Sequence, residues 1–286
     1  TTLKRANVAL MVPCFGMYLF STTAWAARWR ALLRLAGVEL GFSGAWRVTL
    51  EAQAGGILLP GGVGGDALRI AYAKERVANA SVAKIAASIL TDRILGLVTL
   101  ALSALVLGLA FDAGSDLRLA LPMLAGIPLA AAIGWTILRQ VAKSSRIKDT
   151  PLLKSKLGLR VVGPMLEYSA APGATRALLR GLALSAVVSA AQFTVVRGII
   201  AALRVTPDGE AWVFVGAAFA MIVAALPTSP GAWGTAEAAY VFFLARAGVP
   251  APAAAAVCLL YRLMWYGTGA IGAVSALARA DRGERT

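Results

Sequence analysis

Two stretches of this sequence place anion-binding residue types at matched spacing. The first reads Leu59-Pro60-Gly61-Gly62-Val63-Gly64-Gly65-Asp66 and the second Ser229-Pro230-Gly231-Ala232-Trp233-Gly234-Thr235-Ala236-Glu237. Both contain P-G-x-x-G followed within three residues by an acid. Pro and Gly interrupt a helix. A helix that restarts after the break, at Gly64 or Gly234, presents unpaired backbone N–H groups and the positive end of its dipole. Arg69 lies three residues beyond Asp66 on the same helical face. Arg93 follows Pro60 by 33 residues and Arg262 follows Pro230 by 32, each inside an otherwise apolar run. Guanidinium forks suit phosphate. The expected chemistry is capture of a phosphate group in a central cavity, with Asp66 and Glu237 available to a cationic part or as partners of the arginines. Arg93 has two candidate neutralising acids, Asp92 beside it and Asp66.

Each feature also has a plainer reading. Pro-Gly pairs serve as loops between short helices, and glycines allow close helix packing. Arg93 and Arg262 can snorkel to an interface. Against that, inserting an ionisable side chain in a span costs about 2.5–3.5 kcal/mol, and such residues are read by default as functional.

The elements that must position these residues are membrane helices. Of 286 residues, 59% are apolar and 15% charged, which excludes a water-soluble globule. Runs long enough to cross a bilayer occupy about 6–27, 85–111, 117–138, 177–203 and 253–277. Two more apolar segments, 46–72 and 212–244, are broken midway by the Pro-Gly motifs and read as half-helices around a turn. There is no histidine, which removes His-based catalysis and most zinc sites. Cys14 and Cys258 lie in apolar runs with no metal spacing. No metal or cofactor is expected, and GGVGGDA lacks the Lys-Ser/Thr of a nucleotide-binding loop.

The net charge of +14 resolves by position. Residues 139–160 carry seven Lys/Arg against Asp149, residues 28–84 carry eight from Arg28 to Lys84, and the tail adds Arg279, Arg282 and Arg285. The positive-inside rule places these segments in the cytoplasm. Lys4 and Arg5 would then lie outside, against the scheme. A cationic belt along one membrane face argues for topology and anionic headgroups and against nucleic acid as a partner.

With those loops inside, the first broken segment enters from the cytoplasm and returns, and the second enters from outside. Pro-Gly, Gly, acid and buried Arg recur in order about 170 residues apart. The expectation is an all-α polytopic membrane protein with an inverted-topology repeat, two re-entrant helical hairpins and about five full spans. It forms one domain, 1–286: repeat 1 at about 6–111, a linking span at 117–138, a cytoplasmic basic loop at 139–175, and repeat 2 at about 176–278.

The runs LLPGGVGGDALRIAYAKER (58–76), TDRILGL (91–97), PTSPGAWGTAEAAYVFFL (227–244) and YRLMWYGTGAIGA (261–273) resemble the lysylphosphatidylglycerol synthase transmembrane region family. The likeness covers about 25–278, and Pro60, Gly61, Gly64, Asp66, Arg69, Arg93, Pro230, Gly231, Gly234, Glu237 and Arg262 match its pattern. It implies a flippase-like integral protein that moves a polar-headed lipid between leaflets, an aminoacylated phosphatidylglycerol in the fused resistance proteins, and polyprenyl-phosphate or glycolipid pathways elsewhere. The soluble transferase domain of the fused proteins has no counterpart here, so the synthase activity is not carried over. A further span before residue 1 is expected, since the chain begins Thr-Thr and the family usually has one.

The leading expectation is a lipid flippase of a bacterial or archaeal cell (inner) membrane that takes an anionic or aminoacylated phospholipid, or a polyprenyl phosphate, and is not an enzyme. It would be driven by a lipid gradient, the membrane potential or ion coupling. Two alternatives remain beside it: a scaffold or translocation partner of a glycosyltransferase, and an intramembrane headgroup-modifying enzyme with Asp66 and Glu237 as acid and base. Glycine-rich spans can pack within one subunit or between two, as in a homo-oligomer.

Overall fold

A computed structural model describes residues 6–56, 63–77, 80–111, 117–144, 162–226, 229 and 232–280. Among the described residues it contains ten α-helices and no strand. In chain order these are α1 (Val8–Leu35), α2 (Phe42–Gly56), α3 (Val63–Arg76), α4 (Val82–Ala110), α5 (Leu117–Lys143), α6 (Gly163–Ala170), α7 (Ala174–Ala202), α8 (Glu210–Ala225), α9 (Thr235–Leu244) and α10 (Ala251–Ala280). Helices α1, α4, α5, α7 and α10 are long and apolar enough to cross a membrane, and each contains most of one expected span.

The boundaries differ from expectation where local capping competes with charge. Helix α1 runs eight residues past 27, through Arg28, Arg30 and Arg34, because nothing in that stretch breaks a helix. It stops at Gly37, whose φ of +74° is cheap for glycine. There Val38 N–H donates to Leu33 C=O at 3.0 Å, closing a Schellman turn. The stretch 139–175, expected as a loop, holds the end of α5 and all of α6. Tyr168 of α6 donates its hydroxyl to the Leu32 carbonyl at 3.2 Å, pinning α6 beneath the end of α1.

The first four helices recur in length and order as the last four. Helices α1–α4 contain 28, 15, 14 and 29 residues, and α7–α10 contain 29, 16, 10 and 30. Their ends also match: α7 closes with Val205 N–H on Ile200 C=O at 3.3 Å, the bond seen at Val38, although Arg204 rather than glycine takes the positive φ. Contacts cross between the halves, with α1 against α7, α2 against α10, and α8 against α4. Within each half the short pair packs on itself, α2 on α3 and α8 on α9.

Small residues permit these approaches. A Cβ on Gly198 of α7 would stand 2.6 Å from Cys14 Sγ of α1. One on Gly272 of α10 would overlap the Leu50 carbonyl of α2. The larger core cluster joins α1, α7, α8, α9 and α10 around Tyr18, Val196, Ile199, Phe219 and Leu244. A second cluster packs Trp29 and Leu33 of α1 with Val48, Ile85 and Tyr168. Helix α5 stands at the periphery, with Leu129, Ile133 and Ile137 more than half exposed, as a lipid-facing span permits.

Candidate functional site

Three helices meet at one carboxylate, and a fourth joins them through Arg28. Asp92 of α4 is 1% exposed. Its Oδ1 accepts from Arg28 Nε of α1 at 2.6 Å. Its Oδ2 accepts from Trp25 Nε1 at 2.7 Å and from Arg69 Nη1 of α3 at 3.2 Å. Arg28 also donates through Nη1 to Ser185 Oγ of α7 at 2.8 Å. Trp25, Arg28 and Trp29 reach one side of α1 because three- and four-residue steps share a helical face. The two indoles flank Arg69, whose Cζ lies 4.7 Å from the Trp25 ring and 4.4 Å from the Trp29 ring. Such contacts help a guanidinium tolerate burial, and Arg69 is 1% exposed.

Beside this cluster stand two acid–arginine pairs, one from each half of the chain. Arg93 Nε of α4 donates to Asp66 Oδ2 of α3 at 2.5 Å. Arg262 Nη2 of α10 donates to Glu237 Oε1 of α9 at 2.7 Å. The sequence left Asp66 and Asp92 as alternatives for Arg93. Asp66 takes it, while Asp92 turns to α1 and α3, since adjacent residues on a helix point in different directions. Arg262 also sits over the Trp233 ring, with Cζ 3.9 Å from its centroid.

The second half-helix does not offer the free donor expected at Gly234. Gly234, at φ +81°, donates its N–H to Glu237 Oε2 at 2.8 Å, so one carboxylate caps α9 and pairs with Arg262. Gly64 lies in the first turn of α3, and a Cβ on its neighbour Gly65 would come within 2.7 Å of Ala52 C=O, so α3 starts directly against α2. The turn residues Pro60, Gly61, Pro230 and Gly231 lie outside the described residues.

These side chains surround a cavity of about 560 Å³ lined from both halves. Arg28, Arg69, Asp66, Asp92 and Arg93 contribute from the first half and Arg262 from the second. Glu237 is not among the lining residues and stands behind Arg262. The rest of the wall is mainly apolar, with Leu90, Ile94, Leu97, Leu100, Met221 and Trp265, interrupted by Gln53, Ser189, Gln192 and Tyr240. Leu90 and Ile94 are also 45% and 38% exposed on the outer surface of α4, so one wall borders the surroundings of the bundle. The chamber therefore has a cationic pole and an apolar flank, the two parts of an amphiphile. Among the described residues no group of three or more Cys, Asp or Glu could hold a metal ion.

A family model described as Lysylphosphatidylglycerol synthase TM region matches residues 1–272. The chain belongs to this family. With five long apolar helices, it is a multi-pass membrane protein of the lysylphosphatidylglycerol synthase TM region family. It is also 30% identical over 101 residues to the UPF0104 membrane protein PH1989 of Pyrococcus horikoshii. That match covers 34% of this chain and only 29% of the relative's length. No solved structure matches significantly.

For this member of the lysylphosphatidylglycerol synthase TM region family, the structure gathers Asp66, Arg69, Arg93 and Arg262 at one cavity, with Glu237 behind them. Sequence reasoning missed Arg28 and Asp92 as site residues. Arg28 was counted in the cytoplasmic belt, yet it is 5% exposed and bonded across three helices. The available signal was its spacing: Trp25, Arg28 and Trp29 form a stripe at helical period facing the Asp92 turn of α4.

Proposed function

We propose that this chain is a lipid transporter that passes a phosphate-bearing headgroup between leaflets through the central cavity while the acyl chains remain in the bilayer. The observation that carries the reading is the pairing of four arginines with an apolar flank in one chamber between the two halves. Guanidinium groups match phosphate oxygens. The exposed Leu90 and Ile94 edge gives acyl chains a path along α4. Helices α3 and α9 are too short to span a membrane at 14 and 10 residues. That supports reading α2–α3 and α8–α9 as re-entrant hairpins of an inverted repeat, the first entering from the cytoplasm and the second from outside. In this orientation residues 139–175 and the C-terminus face the cytoplasm of a bacterial or archaeal cell.

The protein is proposed to move lipid without altering it. Reconstitution in phosphatidylcholine vesicles with tracer fluorescent phospholipids tests both parts. Leaflet exchange is expected to accelerate while mass spectrometry returns the tracer at its original mass. A changed mass would assign headgroup chemistry instead, and exchange at the protein-free rate would remove the transport reading.

A further inference from the structure

The charges around the cavity do not balance at one place. Arg93 is ion-paired with Asp66 and Arg262 with Glu237. Arg28 and Arg69 share the single carboxylate of Asp92, so this trio carries one surplus positive charge. The nearest further acid, Asp66, reaches Arg69 at 3.9 Å but is bonded to Arg93. Arg69 uses only Nη1 for a hydrogen bond, and its Nε and Nη2 are buried with no hydrogen-bond partner among the described residues. Residues 57–62 and 227–231, which join α2 to α3 and α8 to α9 in the sequence, contain no ionisable residue. A buried uncompensated cation is unfavourable, and a buried guanidinium holds its proton rather than neutralising.

We infer that the Arg28–Asp92–Arg69 trio is an anion site that selects lipids whose headgroup carries a net negative charge, and that an aminoacylated headgroup is disfavoured there. This rests on the transport reading above. A phosphodiester without an amine brings one negative charge, which balances the surplus at the trio. A lysyl ester on the same phosphate brings two ammonium groups, and these need acids. The two acids that line the cavity, Asp66 and Asp92, and Glu237 behind Arg262 are each bonded to an arginine. The cavity thus has cationic capacity to spare and no spare carboxylate, the reverse of what a cationic headgroup needs.

The test uses the whole chain in phosphatidylcholine vesicles with acyl-labelled tracers: phosphatidylglycerol, phosphatidylcholine and lysylphosphatidylglycerol. Phosphatidylglycerol is expected to exchange at least tenfold faster than the lysyl form, with phosphatidylcholine between them. Arg69→Gln is expected to remove most of that preference and Arg69→Lys to keep part of it. Lysylphosphatidylglycerol exchanging as fast as phosphatidylglycerol in the unaltered protein would overturn the inference while leaving transport intact, and this comparison stands even if the variants do not fold. No exchange of any tracer would overturn the transport reading instead. Inorganic phosphate, added at millimolar concentration, is expected to slow phosphatidylglycerol exchange by less than twofold. Strong inhibition would assign the trio to a free anion and overturn its role in lipid selection.

Discussion

Arg93 of α4 and Asp66 of α3 meet at 2.5 Å, and about 170 residues later in the chain Arg262 of α10 and Glu237 of α9 meet at 2.7 Å. The same bond between corresponding helices thus recurs on both sides of one cavity. The two pairs differ in burial: the Arg93 side chain is 36% exposed and that of Arg262 is 5%.

That difference predicts unequal responses to losing the acid. Glu237→Gln removes the carboxylate charge paired with the buried Arg262 guanidinium, with an expected cost of about 3–5 kcal/mol. Asp66→Asn affects Arg93, which is less enclosed and lines the cavity, and a smaller cost is expected. Unfolding of the purified variants in detergent, followed by tryptophan fluorescence, measures both. Equal losses would contradict the assignment.

Asp92 is the most consequential single acid. It accepts from Trp25, Arg28 and Arg69, so Asp92→Ala leaves two buried cations and an indole N–H without their acceptor. A loss of at least about 4 kcal/mol is expected, a large share of the roughly 5–15 kcal/mol that keeps a domain folded. Asp92→Glu keeps the charge and is expected to retain more folded protein than Asp92→Ala, as read by size-exclusion recovery.

The helix contacts between the halves make a steric prediction. A methyl group at Gly272 would overlap backbone of α2, which cannot swing aside as a side chain can. Gly272→Ala is expected to destabilise by about 1–3 kcal/mol. A methyl group at Gly126 of α5 would meet nothing within 4 Å, so Gly126→Ala is expected to be neutral or stabilising by up to about 1 kcal/mol. Thermal unfolding of the two variants side by side checks the pair.

The opposed hairpins make a topological prediction. Cys14 and Cys258 are buried and give little background labelling. Cysteines placed at Gly41 and Glu75, which bracket α2–α3, are expected to react with a membrane-impermeant maleimide only from the cytoplasmic side. Cysteines at Thr206 and Arg246, which bracket α8–α9, are expected to react only from the outer side. Labelling of the two members of either pair from opposite sides would show a crossing instead of a hairpin.

Much of this architecture is legible in the sequence because membrane spans announce themselves by length and composition. All five long apolar runs became helices α1, α4, α5, α7 and α10, and both broken segments became pairs of short helices. Less legible was the fate of individual charges. Arg28 sits at the end of an apolar run, where positive residues usually mark a membrane face, and in the sequence only its place in the Trp25–Arg28–Trp29 stripe separates it from Arg30 and Arg34; its partners Asp92 and Ser185 emerge in three dimensions. Asp92 and Arg93 are neighbours in sequence but take different partners, Asp92 the arginines Arg28 and Arg69 and Arg93 the carboxylate of Asp66, so adjacency carried no information about pairing. The free N-terminus expected at Gly234 is occupied because Glu237 folds back three residues to cap it, a local bond that competes with any ligand.

The most direct test of transport through this cavity is leaflet exchange of a labelled phosphatidylglycerol in vesicles containing the unaltered protein, Arg93→Ala or Arg262→Ala. The predicted result is exchange well above the protein-free rate for the unaltered protein and a drop of tenfold or more in at least one variant. Exchange at the protein-free rate for the unaltered protein, or identical acceleration by all three, would contradict the account.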